Sequence, residues 1–306
     1  MDSINEKLKK LPAADAVMDS FELAGKLKIT DRKTALNAVR RALDELRKDI
    51  LSGASLDISP DAVARRASEI LEREDLPSLR PVINATGIIL HTNLGRARLN
   101  SRAAERAAQM ACSYSTLEYD LKRGERGSRH DHCAGLIAEI LGAEAAMVVN
   151  NNAAATLLCL IALSCGKEVI VSRGELVEIG GSFRVPEIMK QGGTTLREIG
   201  TTNKTHFSDY EEAICERTGA LMKVHTSNYR IVGFAEIPDA AELAKLAHAH
   251  GLPFIYDLGS GLLCDLSQLG IDEPTAQKAL EIGADVVLFS GDKLMGGPQA
   301  GIIAGK

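Results

Sequence analysis

The sequence predicts an α/β fold, a mostly parallel sheet with flanking helices, preceded by a small helical domain. From about residue 135 onward, compact Val- and Ile-rich runs (AMVVN, EVIVS, LMKVHT, PFIYD and DVVLFS) alternate with helical stretches. Most of these runs end in small or polar residues, as strands do where they leave a sheet. Residues 1–80 hold no such runs and carry helical periodicity instead. A boundary near residue 80 therefore divides the 306 residues into 1–80 and 81–306.

In the first part, Leu36, Val39, Leu43, Leu46 and Ile50 recur at spacings of three and four and form one apolar stripe. Ser59 as N-cap and Pro60 at the first helical position start a second helix, whose inner face is Val63, Ala67, Ile70 and Leu71. Pro77 and Pro81 bracket the boundary. Residues 24–50 hold eight Lys or Arg against four Asp or Glu, but residues 1–80 balance at fifteen each, so the basic excess is local. In the second part, helices are expected over 153–165 and 238–250, the latter stopped by Gly251 and Pro253. GIIAGK, at the end of the chain, reads as one further strand.

Parallel sheets gather functional groups at the carboxyl ends of their strands, and three of these ends carry unusual chemistry. VVNNNAAAT (148–156) runs from a strand through three asparagines into small residues opening a helix, a phosphate site or simply a capped turn. In PFIYDLGSG (253–261), Asp257 enters a core and needs a partner there: a cationic ring nitrogen, a Lys or Arg, or backbone amides. In FSGDKLMGGPQAG (289–301), Lys293 follows a buried strand and is wrapped in glycines, with Ser290 and Asp292 beside it. Shielding from water lowers a lysine's pKa and suits it to Schiff-base chemistry. In that order, a phosphate loop, a strand-end acid and an enclosed lysine are the parts of a pyridoxal 5′-phosphate site.

Other motifs have plainer readings. HDHC (130–133) invites a metal, but no second ligand cluster accompanies it, so a surface or phosphate-proximal turn is expected and no metal. GERGSR (124–129) fits an anion contact or a surface turn equally well. His248 and His250 sit where a histidine complements a helix end. His225, ending an apolar strand, is expected in the pocket, and His91 is a second candidate. Glu175 and Glu178 follow a strand end, to face the cofactor or to orient the loop. The six cysteines form no CxxC pair, and several lie in apolar segments, which predicts reduced, buried thiols and a cytoplasmic protein. No apolar run approaches the ~18 residues that span a bilayer, and MDSINEKLKK has no signal-peptide core. A net charge of −5 gives no overall attraction to nucleic acid.

From Arg80 to Lys306 the chain resembles the bacterial selenocysteine synthases, the L-seryl-tRNA(Sec) selenium transferases. RPVINATGIILHTNLGRA, LEYDL, VVNNNAAA, KEVIVSRGELVEIGGSFR, EIGTTNKTH, LMKVHTSNY, DLGSG and FSGDKLMGGPQAGII carry the resemblance. It implies the large domain of a fold-type I pyridoxal-phosphate transferase, turning L-seryl-tRNA(Sec) into L-selenocysteinyl-tRNA(Sec) with selenophosphate, by β-elimination and selenium addition. Lys293 becomes the Schiff-base lysine and Asp257 the partner of the pyridine nitrogen. Asn151, Asn152, Ala153 and Ser290 fall near the cofactor phosphate, and Arg96 becomes an active-site arginine for the anionic selenium donor. Thr201, Thr202, Tyr229 and Asp292 match polar positions around the reacting carbon. The resemblance also implies a homo-oligomer, a ring of dimers, with the N-terminal helices gripping tRNA. It further implies a C-terminal small domain beyond Lys306, so a chain ending there is expected to lack that lid. The competing readings are a related fold-type I enzyme acting on a small amino acid, and a tRNA-binding fragment without catalysis.

Overall fold

The computed structural model describes residues 2–20, 30–54, 56–179 and 183–306. Lys26 and Lys28, part of the basic stretch at 24–50, lie outside the described residues. The chain divides into two compact units, 1–83 and 84–306.

The first unit is helical: α1 (Asp2–Lys9), α2 (Ala14–Met18), α3 (Arg32–Leu51) and α4 (Pro60–Asp75). The side chain of Asp31 caps α3 by accepting from the N–H groups of Lys33 and Thr34. Ser59 caps α4 through the N–H of Ala62, with Pro60 opening the helix. Val39, Leu43 and Leu46 of α3 meet Val63, Ile70 and Leu71 of α4, with Val17 and Met18 of α2 completing the core. Leu36, at the end of the stripe, is only partly buried. Arg66 ties the two long helices at their rim, 3.0 Å from Glu45 and 2.9 Å from Asp49.

The second unit is built on seven strands: β1 (Ala145–Val149), β2 (Glu168–Ser172), β3 (Thr195–Ile199), β4 (Thr218–Val224), β5 (Phe254–Gly259), β6 (Val286–Ser290) and β7 (Gly301–Gly305). Their order across the sheet is β1-β7-β6-β5-β4-β2-β3. The five neighbours from β6 to β3 are mutually parallel, and β7 alone runs against both of its neighbours. Six strands therefore point their carboxyl ends to one edge of the sheet. Side chains alternate between two cores, because successive residues of a strand face opposite sides. On one face Val169, Val171, Met222, Ile255 and Leu288 pack with Ala155 and Leu160 of α7 (Asn152–Ser164) and Met189 of α8 (Val185–Gln191). On the other, Ile170, Leu221, Phe254 and Val287 pack with Tyr210 of α9 (Phe207–Ala213), Leu243 of α10 (Ala240–Ala249) and Leu280 of α11 (Ala276–Glu281).

Three expectations need correction. Thr195–Ile199 is a strand with no counterpart among the expected runs: it closes the sheet's edge, and its Arg197 and Glu198 are exposed. The expected flanking by helices buries both faces of β4 and β5, but Ala145 and Met147 of β1 are exposed, since β1 is the opposite edge. The cysteines are free, yet only Cys159 is buried; Cys112, Cys165, Cys215 and Cys264 are exposed and Cys133 is half-buried. Cys112 and Cys165 cap the ends of helices, and Cys215 and Cys264 lie in loops, where a neighbouring apolar run does not bury them.

Candidate active site

At the carboxyl edge of the sheet lies a cavity of about 200 Å³ lined by Arg96, Asn151, Asn152, Ala153, Val177, Val224, His225, Asp257, Gly259, Ser290, Lys293 and Gln299. Eight of the twelve residues expected at the site are among them. They arrive on different pieces of the fold: Asn151 to Ala153 where β1 turns into α7, His225 after β4, Asp257 on β5, Ser290 at the end of β6 and Lys293 in the turn after it.

Asp257 is 3 % exposed. One carboxylate oxygen accepts from the Asn152 amide at 2.8 Å and the Gly259 N–H at 3.1 Å, the other from the Thr156 hydroxyl at 3.2 Å. A register shift between β5 and β6 sets Leu288 opposite Asp257 and Phe289 opposite Gly259, which turns the strand end at this point. Burial pushes the Asp257 carboxyl up, against the pull of its hydrogen bonds and of Lys293. Burial likewise pushes the Lys293 amine down; Asp257, Asp292 and Glu273 pull it up, and Arg96 adds to the lowering. An acid and a base are thus held in one cavity, each biased toward its neutral form.

The glycines around Lys293 have definite tasks. The Gly291 N–H donates to Ala300 O at 2.8 Å and the Gly297 N–H to Gly291 O at 2.8 Å, folding 291–300 back on itself. A side chain on Gly291 would meet Pro298 O at 2.7 Å, and one on Gly301 would meet Asn151 O at 2.1 Å. The second contact brings β7 hard against the turn that opens α7. There the Asn151 side chain accepts from the Ala154 N–H at 2.9 Å, while the first-turn residues Asn152 and Ala153 line the cavity. First-turn N–H groups have no acceptor inside their own helix, and with the helix dipole they favour an anion.

Arg96 reaches the cavity from HTNLGRA. It is the one non-glycine residue with positive φ among those described, at 60°, directly after Gly95 at 94°. A left-handed conformation costs such a residue about 1–3 kcal/mol. It is held by its own N–H to His91 O at 3.2 Å, by the Ala97 N–H to Asp292 O at 3.1 Å, and by Nη1 to Asp292 Oδ2 at 2.6 Å. Asp292 therefore braces Arg96 and is not in the cavity's lining. Thr201 and Thr202 are exposed and line a separate, smaller cavity with Ser172 and Gly174. Tyr229 donates to Gly174 O and lines a further cavity beside His225.

Glu175 is a loop-orienting residue: it is 2 % exposed, accepts from the Val224 N–H at 3.0 Å and pairs with Lys223 at 2.8 Å. Glu178 pairs with Arg184 at the surface. His132 bonds the carbonyls of Thr116 and Leu117, and no cluster able to hold a metal occurs among the described residues. Arg126 and Arg129 both pair with Glu118, which braces the exposed GERGSR segment. His248 pairs with Asp285 at 2.9 Å, and the His91 ring caps its own turn through the Asn93 N–H. Sequence reasoning passed over Gln299, Thr156 and Glu273. Thr156 had a signal, since it lies one helical turn after Asn152 and so on the same face.

A family model described as SelA, L-seryl-tRNA selenium transferase, matches residues 82–306. The chain is 53% identical to the L-seryl-tRNA(Sec) selenium transferase of Geobacter sulfurreducens over 97% of its own length and 65% of that protein's. It is 50% identical to that of Carboxydothermus hydrogenoformans over 99% of its length and 66% of the relative's. The chain thus spans about 65% of the length of the curated relatives it matches. Among solved structures, a D-glucosaminate-6-phosphate ammonia-lyase aligns with a TM-score of 0.60 at 22% identity, covering 78% of this chain and 60% of that one. At that identity the likeness speaks for the fold. No helix among the described residues is long and apolar enough to cross a membrane.

Proposed function

The chain belongs to the L-seryl-tRNA selenium transferase family, and from that premise we propose that its cavity binds pyridoxal 5′-phosphate and serves the conversion of L-seryl-tRNA(Sec) to L-selenocysteinyl-tRNA(Sec) with selenophosphate. The observation that carries this reading is the convergence of Lys293, Asp257 and the start of α7 on one cavity. The residues present suit the cofactor. Lys293 offers an amine that burial biases toward the neutral, nucleophilic form. Asp257 is a buried acid whose ionisation a cationic ring nitrogen would favour. Asn151, Asn152, Ala153 and Ser290 supply a phosphate site at a helix N-terminus. In the same wall the buried Asn152 Oδ1 has no hydrogen-bond partner, an acceptor that a bound group can satisfy.

When bound, pyridoxal phosphate supplies an electron sink for the charge left when a proton leaves the α-carbon of the seryl group. The chain does the rest. Lys293 Nζ would hold the cofactor and would be the base that takes that proton. Asp257 would keep a proton on the ring nitrogen. Arg96, braced by Asp292, turns its remaining guanidinium N–H groups to the anionic selenium donor, whose phosphate oxygens match its fork. The serine β-hydroxyl would take up a proton and leave as water. The selenium of selenophosphate would bond to the β-carbon in its place, its Se–P bond breaking by addition of water to release inorganic phosphate, and the α-carbon would regain its proton. Thr201, Thr202 and Tyr229, which line cavities other than this one, are assigned to the aminoacyl end of the tRNA. The N-terminal helices contact the tRNA body, and a second copy of the chain completes a homo-oligomer.

Single-turnover conversion of seryl-tRNA(Sec), with and without selenophosphate, tests this reading. The expected result is selenocysteinyl-tRNA(Sec) only with the donor present, and a visible cofactor absorbance that Lys293→Ala abolishes. An unchanged visible band in Lys293→Ala would falsify the lysine assignment.

A further inference from the structure

Behind His225 stands a carboxylate that the reaction as described does not use. Glu273 Oε2 lies 3.0 Å from His225 Nε2 and accepts the Ser260 hydroxyl at 2.8 Å. Both partners border the cavity's frame. His225 lines it, and its N–H donates to Asp257 O at 2.8 Å. The Ser260 carbonyl accepts from the Leu294 N–H at 3.0 Å, next to Lys293. Glu273 itself lies outside the sheet, carried to this place by the parallel bridge between Leu262 and Thr275 and by the Ala276 N–H bound to Leu262 O at 3.0 Å. Its side chain is only 16 % exposed. Burial opposes its charge, but the contact with His225 and the hydrogen bond from Ser260, with the charge of Lys293, hold the carboxyl below its ordinary range.

Resting on the reading that this cavity holds pyridoxal phosphate, we propose that Glu273 is a positioning residue: it fixes the His225 ring by accepting from Nε2, and so presents Nδ1 as an acceptor. A neutral imidazole has one N–H and one acceptor nitrogen, and the partner of the first decides the role of the second. An anionic acceptor at Nε2 keeps the proton there. A ring held this way keeps one orientation in the cavity wall, between the strand end carrying Asp257 and the turn carrying Lys293.

Two measurements test this. The first uses the unaltered protein without cofactor: ¹⁵N NMR of histidine-labelled protein, with His225→Gln to assign the signal. The neutral ring is expected to carry its proton on Nε2, and a proton on Nδ1 would overturn the proposal. The second is a double-mutant cycle read as the pyridoxal phosphate Kd. Glu273→Leu is expected to weaken binding at least tenfold when His225 is present and less than twofold in a His225→Ala background. Glu273→Gln, which keeps an acceptor oxygen, should stay within threefold of the unaltered protein. Equal losses in both backgrounds, no loss in either, or a Gln variant as weak as Leu would each overturn it. If the unaltered protein bound no pyridoxal phosphate, the cofactor reading would fail by itself, while the NMR result would still decide the Glu273–His225 pairing.

Discussion

Asp257 is a carboxylate that folding places in an unfavourable setting unless something positive joins it. Its folded-state pKa is raised, chiefly by burial. In the cofactor-free protein the folded state therefore binds more protons than the unfolded one above the ordinary carboxylate range, and stability falls as pH rises. The contribution is complete below the unfolded value and is lost as pH rises through the folded one. Asp257→Asn removes that charge while its amide oxygen can still accept from Asn152 and Gly259. The cofactor-free variant should melt higher than the parent at neutral pH, by about 2–4 °C for each ~1 kcal/mol relieved, and the difference should shrink toward pH 4. A difference that grew on acidification would refute this account, as would tight cofactor binding by the variant. Arg96→Ala separates a second role. It removes a group aimed at the selenium donor, so the visible cofactor band should persist while the selenophosphate requirement rises at least tenfold; loss of the band would reject that division. Lys293, Asp257 and the asparagine turn were legible in the sequence because each ends an apolar run. The Arg96–Asp292 pair was not, because its members lie 196 positions apart. Nor was Glu273, which sits in no run and reaches the site only through tertiary contact.

At the scale of elements, what could be read depended on how deeply each strand is buried. β2, β4, β5 and β6 declare themselves as Val- and Ile-rich runs because helices cover both their faces. β3 does not, since as an edge strand it needs few apolar residues: of Thr195-Leu-Arg-Glu-Ile only Leu196 and Ile199 are apolar, one on each face. β7 was legible as a strand, but its antiparallel direction was not, because direction is set by the connection. The ten-residue turn from Gly291 to Ala300 is too short to carry the chain back for a parallel pairing, which needs a dozen or more. Where β7 passes the turn that opens α7, Gly301 is required by contact and not by conformation. A methyl group there would lie 2.1 Å from Asn151 O, a backbone atom that cannot swing aside. Gly301→Ala should therefore displace the Asn151 cap and the α7 first turn. The expected readouts are a loss of about 1–3 kcal/mol in denaturant unfolding and weaker cofactor binding. Unchanged cofactor affinity would show that β7 does not shape the phosphate site.

For the molecule as a whole, each of the two units has its own apolar core, and the helical periodicity of one against the β runs of the other made both cores readable. What the pattern left unread is a surface. Helix α5 (Ser101–Ala111) sets Ala103, Ala104, Ala107, Ala108 and Ala111 on one side and Arg102, Glu105, Arg106 and Gln109 on the other, yet buries none of its residues. The segments flanking it expose Ile88, Ile89, Leu117 and Leu121. An amphipathic helix gains most of its stability by burying its apolar face, and exposed apolar surface of this kind marks an interface. We take its occupant to be a second copy of the chain, in line with the proposed homo-oligomer. Light scattering at about 10 μM, a concentration at which a Kd of ~1 μM leaves most of the protein associated, should give a multiple of the 32.7 kDa chain mass. Ala107→Glu places a charge in the middle of the stripe while keeping a good helix former. It should therefore lower the measured mass without lowering the helix content seen by circular dichroism. A parent protein that stays at the single-chain mass would remove the basis for this assembly, and so would a variant that assembles unchanged.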